Sequence, residues 1–268
     1  MEIINWKDLE KETEEDESLY SCTIGVFDGV HLGHQHLIQK VIQHKDTKSM
    51  VVTFRENPVR ILSPEIFQGN LTTLKEKLRL LSDIKVDAVL LIDFSPDFST
   101  LSCRDFLDTL FSRKNIIYIA LGENFRCGKN AETDIEGVKE IVGKKEGMHL
   151  DVIHHLQYSK DIISSTRIRK TILAGEVEKA SKMLGRSYSF TIPNWVKKED
   201  SQVTIIDKNT LKKVLPPPGK YIVRYKKNGE DATGSVLISN REIVIKQLPL
   251  TGEESLEFLR PSNIKQPF

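Results

Sequence analysis

The chain has 268 residues, and its 39 Lys and Arg side chains nearly balance 38 Asp and Glu, for a formal net charge of +1. This length suits one large domain or two ordinary ones, and the charge balance gives no basic field for nucleic acid binding. Apolar runs such as Ala88–Ile92 are far shorter than the ~18 residues of a membrane helix, so we expect no membrane span.

The N-terminus and the cysteines bear on the compartment. The acidic stretch from Asp8 to Glu17 leaves no basic-then-apolar signal peptide. Cys22, Cys103 and Cys127 form no closely spaced pair, which argues against a disulfide scaffold and against a cysteine zinc site. We therefore predict that the protein works in the reducing cytoplasm.

Up to about residue 190, short apolar runs alternate with helical patterns. Strands are predicted over Thr23–Phe27, Met50–Phe54, Ala88–Ile92, Ile116–Ala120 and Leu150–Ile153. Helices are predicted over Leu32–His44, from the capping box Thr73–Glu76, from Ser102, near Ile135–Val142, and over Thr166–Leu173 and Glu176–Leu184. This alternation is typical of an α/β fold with a parallel sheet covered on both faces, in which ligands bind beyond the carboxyl ends of the strands.

The pattern of predicted elements changes between Phe190 and Trp195, from alternating strands and helices to short strands. Residues 191–268 carry 13 Lys and Arg against 9 Asp and Glu. Strands are predicted over Val203–Ile206, Lys220–Tyr225, Ser235–Ile238 and Glu242–Lys246, followed by a helical pattern over Glu253–Leu259. We predict two domains, an α/β domain over residues 1–190 and a small, mainly-β domain over residues 191–268.

The first strand-to-helix loop holds the most informative motif, Gly25-Val-Phe-Asp-Gly-Val-His-Leu-Gly-His34. His31 and His34 share one face at the start of a helix, where free N–H groups and the helix dipole favour an anion. Gly33 lets a ligand lie against the backbone. The loop predicts a phosphate site with two imidazole donors. The alternatives are histidines that only pack or cap the helix, or a zinc site with His36.

A second motif, Ile163-Ser-Ser-Thr-Arg-Ile-Arg169, follows the fifth strand and precedes a helix. Hydroxyl and N–H groups at a helix start, with an arginine one turn later, again favour phosphate. The alternative is an ordinary Ser/Thr cap with a solvated arginine.

Two further segments follow the second and fourth strands. They are Thr53-Phe-Arg-Glu-Asn-Pro58 and Gly122-Glu-Asn-Phe-Arg-Cys-Gly-Lys129. Their amide and aromatic side chains suit a planar heteroaromatic ligand, and each segment is equally typical of an Asn-rich turn.

The order of these motifs resembles that of the bacterial FAD synthetase family, which is usually bifunctional with riboflavin kinase. The segments Leu71-Thr-Thr-Leu-Lys-Glu-Lys77, Phe94-Ser-Pro-Asp-Phe98 and Ala174–Arg186 also fall in the family's order. The resemblance covers residues 20–190. It implies a Rossmann-like nucleotidyltransferase domain that makes FAD and pyrophosphate from FMN and ATP, with Mg²⁺ bridging the phosphates.

The resemblance also implies roles for individual residues. The implied catalytic residues are His31, His34, Asn124, Ser165 and Arg169. The implied ATP-binding residues are Gly25, Phe27, Asp28, His31, Gly33, His34, Ser164, Ser165, Thr166 and Arg169. The implied flavin-binding residues are Asn57, Pro58, Asn124, Phe125 and Arg126.

The sequence departs from the family pattern in several places. Cys127 replaces a usual aromatic residue, and Arg55-Glu-Asn-Pro58 differs from the commoner Asp-Pro-His-Pro. Residues 191–268 lack the kinase motif Gly-x-Pro-Thr-Ala-Asn, so we expect a remnant of a riboflavin kinase-like barrel without kinase activity. The alternatives are a bifunctional enzyme, an adenylyltransferase with another acceptor, or a non-enzymatic regulator that binds a flavin or a nucleotide.

Overall fold

The computed structural model describes residues 1–9, 17–192, 198–200, 203–227, 230–246 and 255–262. The chain divides into two compact units. The first unit contains Met1–Phe67 and Thr72–Ile162, and the second contains Gln68–Leu71 and Ile163–Phe268. In the described parts of the chain, we find no helix with both the length and the apolar character needed to cross a bilayer.

The first unit is a parallel sheet with helices on both faces. Its strands are β1 Glu2–Asn5, β2 Leu19–Ile24, β3 Lys48–Phe54, β4 Ala88–Ile92, β5 Asn115–Gly122 and β6 His149–Ile153, followed by the hairpin β7 Gln157–Tyr158 and β8 Asp161–Ile162. Its helices are α1 Trp6–Leu9, α2 Leu32–Ile42, α3 Pro58–Leu62, α4 Leu74–Asp83, α5 Pro96–Ser99, α6 Cys103–Arg113 and α7 Ile135–Val142. The predicted α/β fold is confirmed, while β1, α1, α3 and α5 had no predicted counterpart.

Strand order determines where a ligand can bind at the edge of this sheet. The order is β1-β4-β3-β2-β5-β6, and all neighbouring pairs are parallel. The chain proceeds from β2 toward β3 and β4, then returns to place β5 on the other side of β2. The loops after β2 and β5 therefore leave in opposite directions, and this topological switch point is the usual ligand crevice of such sheets.

Strand β4 shows why continuous apolar runs predicted this sheet, because all five of its residues are buried. Val89 and Leu91 pack with side chains of α2 and α4. Leu90 and Ile92 pack on the opposite face, with side chains of α1, α6 and α7. A strand covered on both faces needs apolar residues at every position rather than at alternate ones.

The second unit joins two helices to an antiparallel sheet. The helices are α8 Ser165–Leu173 and α9 Val177–Leu184. The strands are β9 Tyr188–Thr191, β10 Lys198–Asp200, β11 Val203–Asp207, β12 Gly219–Lys227, β13 Glu230–Ile238, β14 Glu242–Lys246 and β15 Ser255–Pro261. They form a seven-stranded sheet in the order β10-β11-β14-β13-β12-β15-β9, so the predicted mainly-β tail is confirmed.

The predicted helical pattern over Glu253–Leu259 is wrong in the part that the structure describes. Residues 255–261 form β15, in which Leu256 and Phe258 are fully buried and pair with Phe190 and Tyr188. The alternation of buried and partly exposed residues has the period of a strand, and pairing with β9 decides between two readings of a short apolar pattern. Glu253 and Glu254 lie outside the described residues.

The division into units differs from the predicted boundary near residue 190. Helices α8 and α9 and strand β9 belong to the second unit. Strand β9 pairs with β15, and α9 packs against both strands. The segment 68–71 joins the same unit, because the N–H of Asn70 donates to the carbonyl of Lys212 at 3.1 Å. Trp195, at the predicted boundary, lies outside the described residues.

Candidate active site

The loop between β2 and α2 has an unusual backbone. Phe27 and Val30 have positive φ angles of 50° and 38°, and Gly29 between them has a φ of 85°. A β-branched residue in the left-handed region is an outlier that its surroundings must maintain. Both Phe27 and Val30 are buried in the core. Packing therefore holds the loop in a conformation that an isolated peptide would avoid.

The two predicted histidines meet at the start of α2. His31 is the N-cap, and its Nδ1 accepts a hydrogen bond of 3.2 Å from the backbone N–H of His34. Their rings are stacked with centroids 3.5 Å apart, and the ring of Phe27 lies edge-on to His34 at 5.1 Å. Because Nδ1 of His31 accepts, the proton of a neutral ring resides on Nε2, where it is a donor. His31 thus caps the helix, as one alternative held, and still has the chemistry of a phosphate ligand.

Asp28, predicted to bind ATP, is turned toward the protein. It is 5% exposed, and its Oδ1 accepts a hydrogen bond of 3.1 Å from the N–H of Thr72. The hydroxyl of Thr72 in turn accepts a bond of 3.0 Å from the N–H of Gly29. The carboxylate therefore helps to fix the loop, and its predicted contact with ATP stays a prediction.

A cavity of about 480 Å³ opens at the switch point of the first unit. Its lining comes from the ends of β2, β3 and β4, from α3, α5 and α6, and from the loop after β5. Five aromatic side chains contribute to its walls, namely Phe54, Phe94, Phe98, Phe106 and Phe125. The rings of Phe54 and Phe94 meet edge-to-face at 5.7 Å. Apolar walls with a few polar groups are the usual surroundings of a planar ligand.

The predicted flavin residues divide between this cavity and its margin. Pro58, Asn124, Phe125 and Arg126 line the cavity, together with Gly25 from the His31 loop. Asn57 is not among the lining residues, because its Oδ1 accepts a bond of 3.1 Å from the N–H of Val59 and caps α3.

Phe94 and Phe98 also line the cavity, although the sequence reasoning gave them no role. The available signal was their position just after β4, on the edge of the sheet where ligands bind.

The loop after β5 forms one wall of the cavity and is held by its own backbone. Cys127 and Thr133 exchange two backbone hydrogen bonds of 3.0 and 3.1 Å. Arg126 donates from Nε to the carbonyl of Ala131 at 2.9 Å. Gly128 has a φ of 83°, and a Cβ there would lie 2.6 Å from the backbone nitrogen of Cys103. The loop is therefore packed tightly against the start of α6.

A disulfide joins Cys103 to Cys127, across a separation of 24 residues along the chain. The sequence argued against a disulfide scaffold from cysteine spacing, and this pair corrects that argument. Spacing along a chain does not report proximity in space, and the fold brings the start of α6 beside the loop after β5. The unpaired Cys22 is buried in the core. The cysteines no longer support a reducing compartment, so the cytoplasmic location stays a prediction.

Glu123 connects the start of this loop to the segment after β6. Its carboxylate is hydrogen-bonded to Nδ1 of His154 at 2.8 Å and accepts from the backbone N–H of His155 at 3.0 Å. These bonds, that of His154 first, hold the pKa of Glu123 below its ordinary value. Asn124 follows directly, so these contacts position a predicted site residue. The sequence gives no sign of this connection, because it joins two loops that are far apart along the chain.

The Ser-Ser-Thr motif lies in the second unit, at the start of α8. The hydroxyl of Ser164 accepts a hydrogen bond of 3.2 Å from the N–H of Arg167 and caps the helix, and Ser165 and Thr166 form its first turn. Arg169 donates from Nε to the carbonyl of Gly69 at 3.1 Å. The ordinary-cap alternative therefore holds for Ser164, but Arg169 is anchored rather than solvated. Phosphate binding by this motif stays a prediction.

Among the residues that the structure describes, no three His, Cys, Asp or Glu side chains lie close enough together to hold a metal ion. The zinc alternative at His31, His34 and His36 thus gains no support. Asp28, the carboxylate of the loop between β2 and α2, accepts a hydrogen bond from the N–H of Thr72. In the part of the chain that the structure describes, we therefore find no cluster of three such side chains ready to hold Mg²⁺.

Comparisons of the sequence with known proteins agree on one family. The sequence model of the FAD synthetase family matches residues 13–167. A bifunctional riboflavin kinase/FMN adenylyltransferase of Buchnera aphidicola (subsp. Schizaphis graminum) is 36% identical over 176 residues, which are 64% of this chain and 56% of that protein. The enzyme of the same name from Listeria monocytogenes is 29% identical over 225 residues, or 80% of this chain and 70% of that protein. The chain thus spans little more than half the length of the Buchnera relative.

A solved structure has the same fold over the whole chain. A protein from Streptococcus pneumoniae, called a macrolide-efflux protein, superimposes with a TM-score of 0.82 and 23% sequence identity. The match covers 100% of this chain and 93% of that one. At this level of identity the likeness establishes the fold alone.

Proposed function

The chain belongs to the FAD synthetase family, and we propose that it transfers the adenylyl group of ATP to the phosphate of FMN, giving FAD and pyrophosphate. The aromatic cavity is the observation that carries this proposal. Its lining includes Gly25 and Val26, the first residues of the loop that ends at His31. One loop thus contributes to the wall of a pocket suited to a planar ring and leads to a helix start suited to phosphate.

We assign the flavin ring to the cavity. The rings of Phe54, Phe94 and Phe98 contact one another edge-to-face or tilted, and together they form an aromatic wall for a planar guest. Asn124 and Arg126 supply polar groups at the wall formed by the loop after β5. Asn57 acts by fixing the start of α3, which brings Pro58 and Leu62 to the cavity.

We assign the ATP phosphates to the start of α2. The eleven-residue helix presents its first N–H groups and the positive end of its dipole there. An oxygen of the FMN phosphate attacks the α-phosphorus of ATP and forms a new P–O bond. The bond from that phosphorus to the bridging oxygen of the β-phosphate breaks, and pyrophosphate leaves with the electron pair. His31 and His34 donate hydrogen bonds to the oxygens on which charge builds up.

The other predicted ATP ligands keep the roles that the family resemblance implies. Gly25, Phe27 and Gly33 shape the backbone that faces the nucleotide, while Asp28 fixes the loop through Thr72. Ser164, Ser165, Thr166 and Arg169 are assigned to the leaving pyrophosphate, as the family resemblance implies. Mg²⁺ enters as part of the substrate, the magnesium complex of ATP, held by phosphate oxygens and water.

The bifunctional relatives favour a second candidate, an enzyme that also phosphorylates riboflavin. Residues 191–268 lack the Gly-x-Pro-Thr-Ala-Asn motif. We therefore assign no kinase activity to the second unit.

The test is an incubation of the full chain with ATP, Mg²⁺ and FMN, with the products separated by chromatography. FAD is expected with FMN, and other phosphate-bearing acceptors, such as pantetheine phosphate or nicotinamide mononucleotide, should give no adenylylated product. Adenylylation of one of those acceptors in place of FMN would assign the site to a different substrate. Flavin binding without any FAD would favour a regulator.

A further inference from the structure

Lys77 is a buried lysine whose contacts the proposed reaction does not use. It lies in the first turns of α4, whose start is fixed by the reciprocal capping bonds of Thr73 and Glu76. The residue is 6% exposed, although lysine is seldom buried without a charged partner. No carboxylate in the described part of the chain forms an ion pair with it. Burying an ammonium group costs free energy, so the groups that accept its hydrogen bonds indicate the role of Lys77.

Three oxygens receive the ammonium, two from the end of β3 and one from the loop after β2. Nζ of Lys77 donates to the carbonyl of Phe54 at 2.9 Å, to the carbonyl of Val26 at 3.0 Å and to the hydroxyl of Thr53 at 3.3 Å. An ammonium has three N–H donors and no acceptor, so its bonding capacity is filled. The Thr53 hydroxyl itself donates to the carbonyl of Val26 at 3.0 Å. Lys77 therefore fastens the loop after β2 to the end of β3.

We propose that Lys77 is a positioning residue for adenylyl transfer, which holds the His31 loop and the flavin cavity in register with one another. The inference rests on the proposed function, because the transfer needs a flavin phosphate and an α-phosphate in line. Val26 and Phe54, whose carbonyls Lys77 binds, both line the cavity. Val26 also belongs to the loop that leads to His31.

A second contact from the same segment supports this role. Thr72, five residues before Lys77, binds Asp28 and Gly29 in the same loop. The segment from Thr72 to Lys77 thus holds the loop at three successive places, on both sides of the positive φ of Phe27. Without the ammonium, the carbonyl of Val26 would lose its charged donor, and the strained part of the loop would be free to relax.

Burial also lowers the pKa of Lys77 to about 8, although the carboxylates of Asp28 and Glu56 act to raise it. Loss of the proton removes the charge and one of the three N–H donors. Turnover should therefore fall as the pH rises through about 8.

The free energy of unfolding should change with pH in the opposite direction to turnover. Between about 8 and about 10.4, the ordinary pKa of lysine, the unfolded chain binds more protons at this position than the folded chain. Through Lys77, the free energy of unfolding therefore rises with pH in this window. A loss of turnover at pH 9 without a loss of stability would separate positioning from a general effect on folding.

The experiment measures kcat and both KM values from pH 6 to pH 10 for the wild-type chain, Lys77→Met and the control Lys75→Met. Lys75 is exposed on the same helix, so its substitution should leave the profile unchanged. Lys77→Met should lower kcat at pH 7 by about 10²-fold, as a small misplacement of reacting groups does, and should abolish the fall near pH 8.

Either of two results overturns the proposal. One is a Lys77→Met enzyme with wild-type kcat, and the other is a wild-type kcat that stays level between pH 7 and pH 10. The second measurement needs no variant, so it decides the matter even if Lys77→Met does not fold. A wild-type chain that forms no FAD at any pH would instead refute the proposed function.

Discussion

His31 caps helix α2 and is also the residue that we propose as a donor to the reacting phosphates. Its Nδ1 accepts the bond that caps α2, and its ring stacks on His34. The sequence predicted the pair, because two histidines three residues apart at a helix start must share a face. It did not reveal that Asp28 binds Thr72, since that contact spans 44 residues. A residue's type suggests its chemistry, but its partners depend on how distant segments pack.

We predict that His31→Asn and His34→Ala each lower kcat by about 10²-fold or more, because each loses a preorganised donor to the transition state. Asparagine is itself a good N-cap, so His31→Asn should retain helix α2 and the thermal stability of the wild-type chain. The affinity for FMN, measured by flavin fluorescence, should change little.

The control for both is His36→Ala on the same helix, which should retain wild-type turnover. If His31→Asn and His34→Ala are nearly as active as the wild type, the phosphate site lies elsewhere.

The elements predicted best are those in which all residues favour the same type of secondary structure. Strand β4 and helix α7 were predicted with the bounds that the structure has, Ala88–Ile92 and Ile135–Val142. Strand β15 was predicted as a helix, because a short apolar pattern takes its structure from the strand that pairs with it. The loop after β5 was predicted as a site without its disulfide, because pairing depends on the position of α6.

We predict that the disulfide between Cys103 and Cys127 stabilises the first unit. Closing a loop of this length contributes about 3 kcal/mol in the chain-entropy account, so Cys103→Ser and Cys127→Ser should each lower the free energy of unfolding by roughly that amount. The double variant should cost about as much as either single variant, since both remove one bond. Denaturant unfolding with and without dithiothreitol measures the effect.

Reduction of the wild-type chain should match the variants and should also weaken FMN binding, because Cys127 lines the cavity. A reduced chain as stable as the oxidised one would show that the bond adds nothing to the fold.

The whole molecule combines a predictable architecture with a less predictable division. Alternating strands and helices indicated the parallel sheet, and the strand-rich tail indicated a separate antiparallel sheet. The predicted boundary followed the change in the pattern of predicted elements near residue 190. The compact units follow packing instead, which assigns α8, α9 and the segment 68–71 to the second unit. The residue pattern indicates which helices and strands form. The boundary between the two units depends on which of these elements pack into the same core.

We predict that riboflavin and ATP give neither FMN nor FAD. A kinase must hold the β- and γ-phosphates and orient the flavin hydroxyl, and residues 191–268 lack the family's Gly-x-Pro-Thr-Ala-Asn motif. Long incubations at enzyme concentrations that reveal one turnover, followed by chromatography, provide the measurement. Stoichiometric FMN would make the enzyme bifunctional.

Adenylyl transfer to FMN is the central claim, and the fate of labelled ATP tests it most directly. Two reactions of the full chain with FMN and Mg²⁺ would contain ATP labelled either at the α-phosphorus or at the γ-phosphorus. We predict that the α-label appears in FAD and the γ-label in pyrophosphate, in equal amounts. An α-label that never enters the flavin, with well-folded protein and saturating substrates, would contradict the claim.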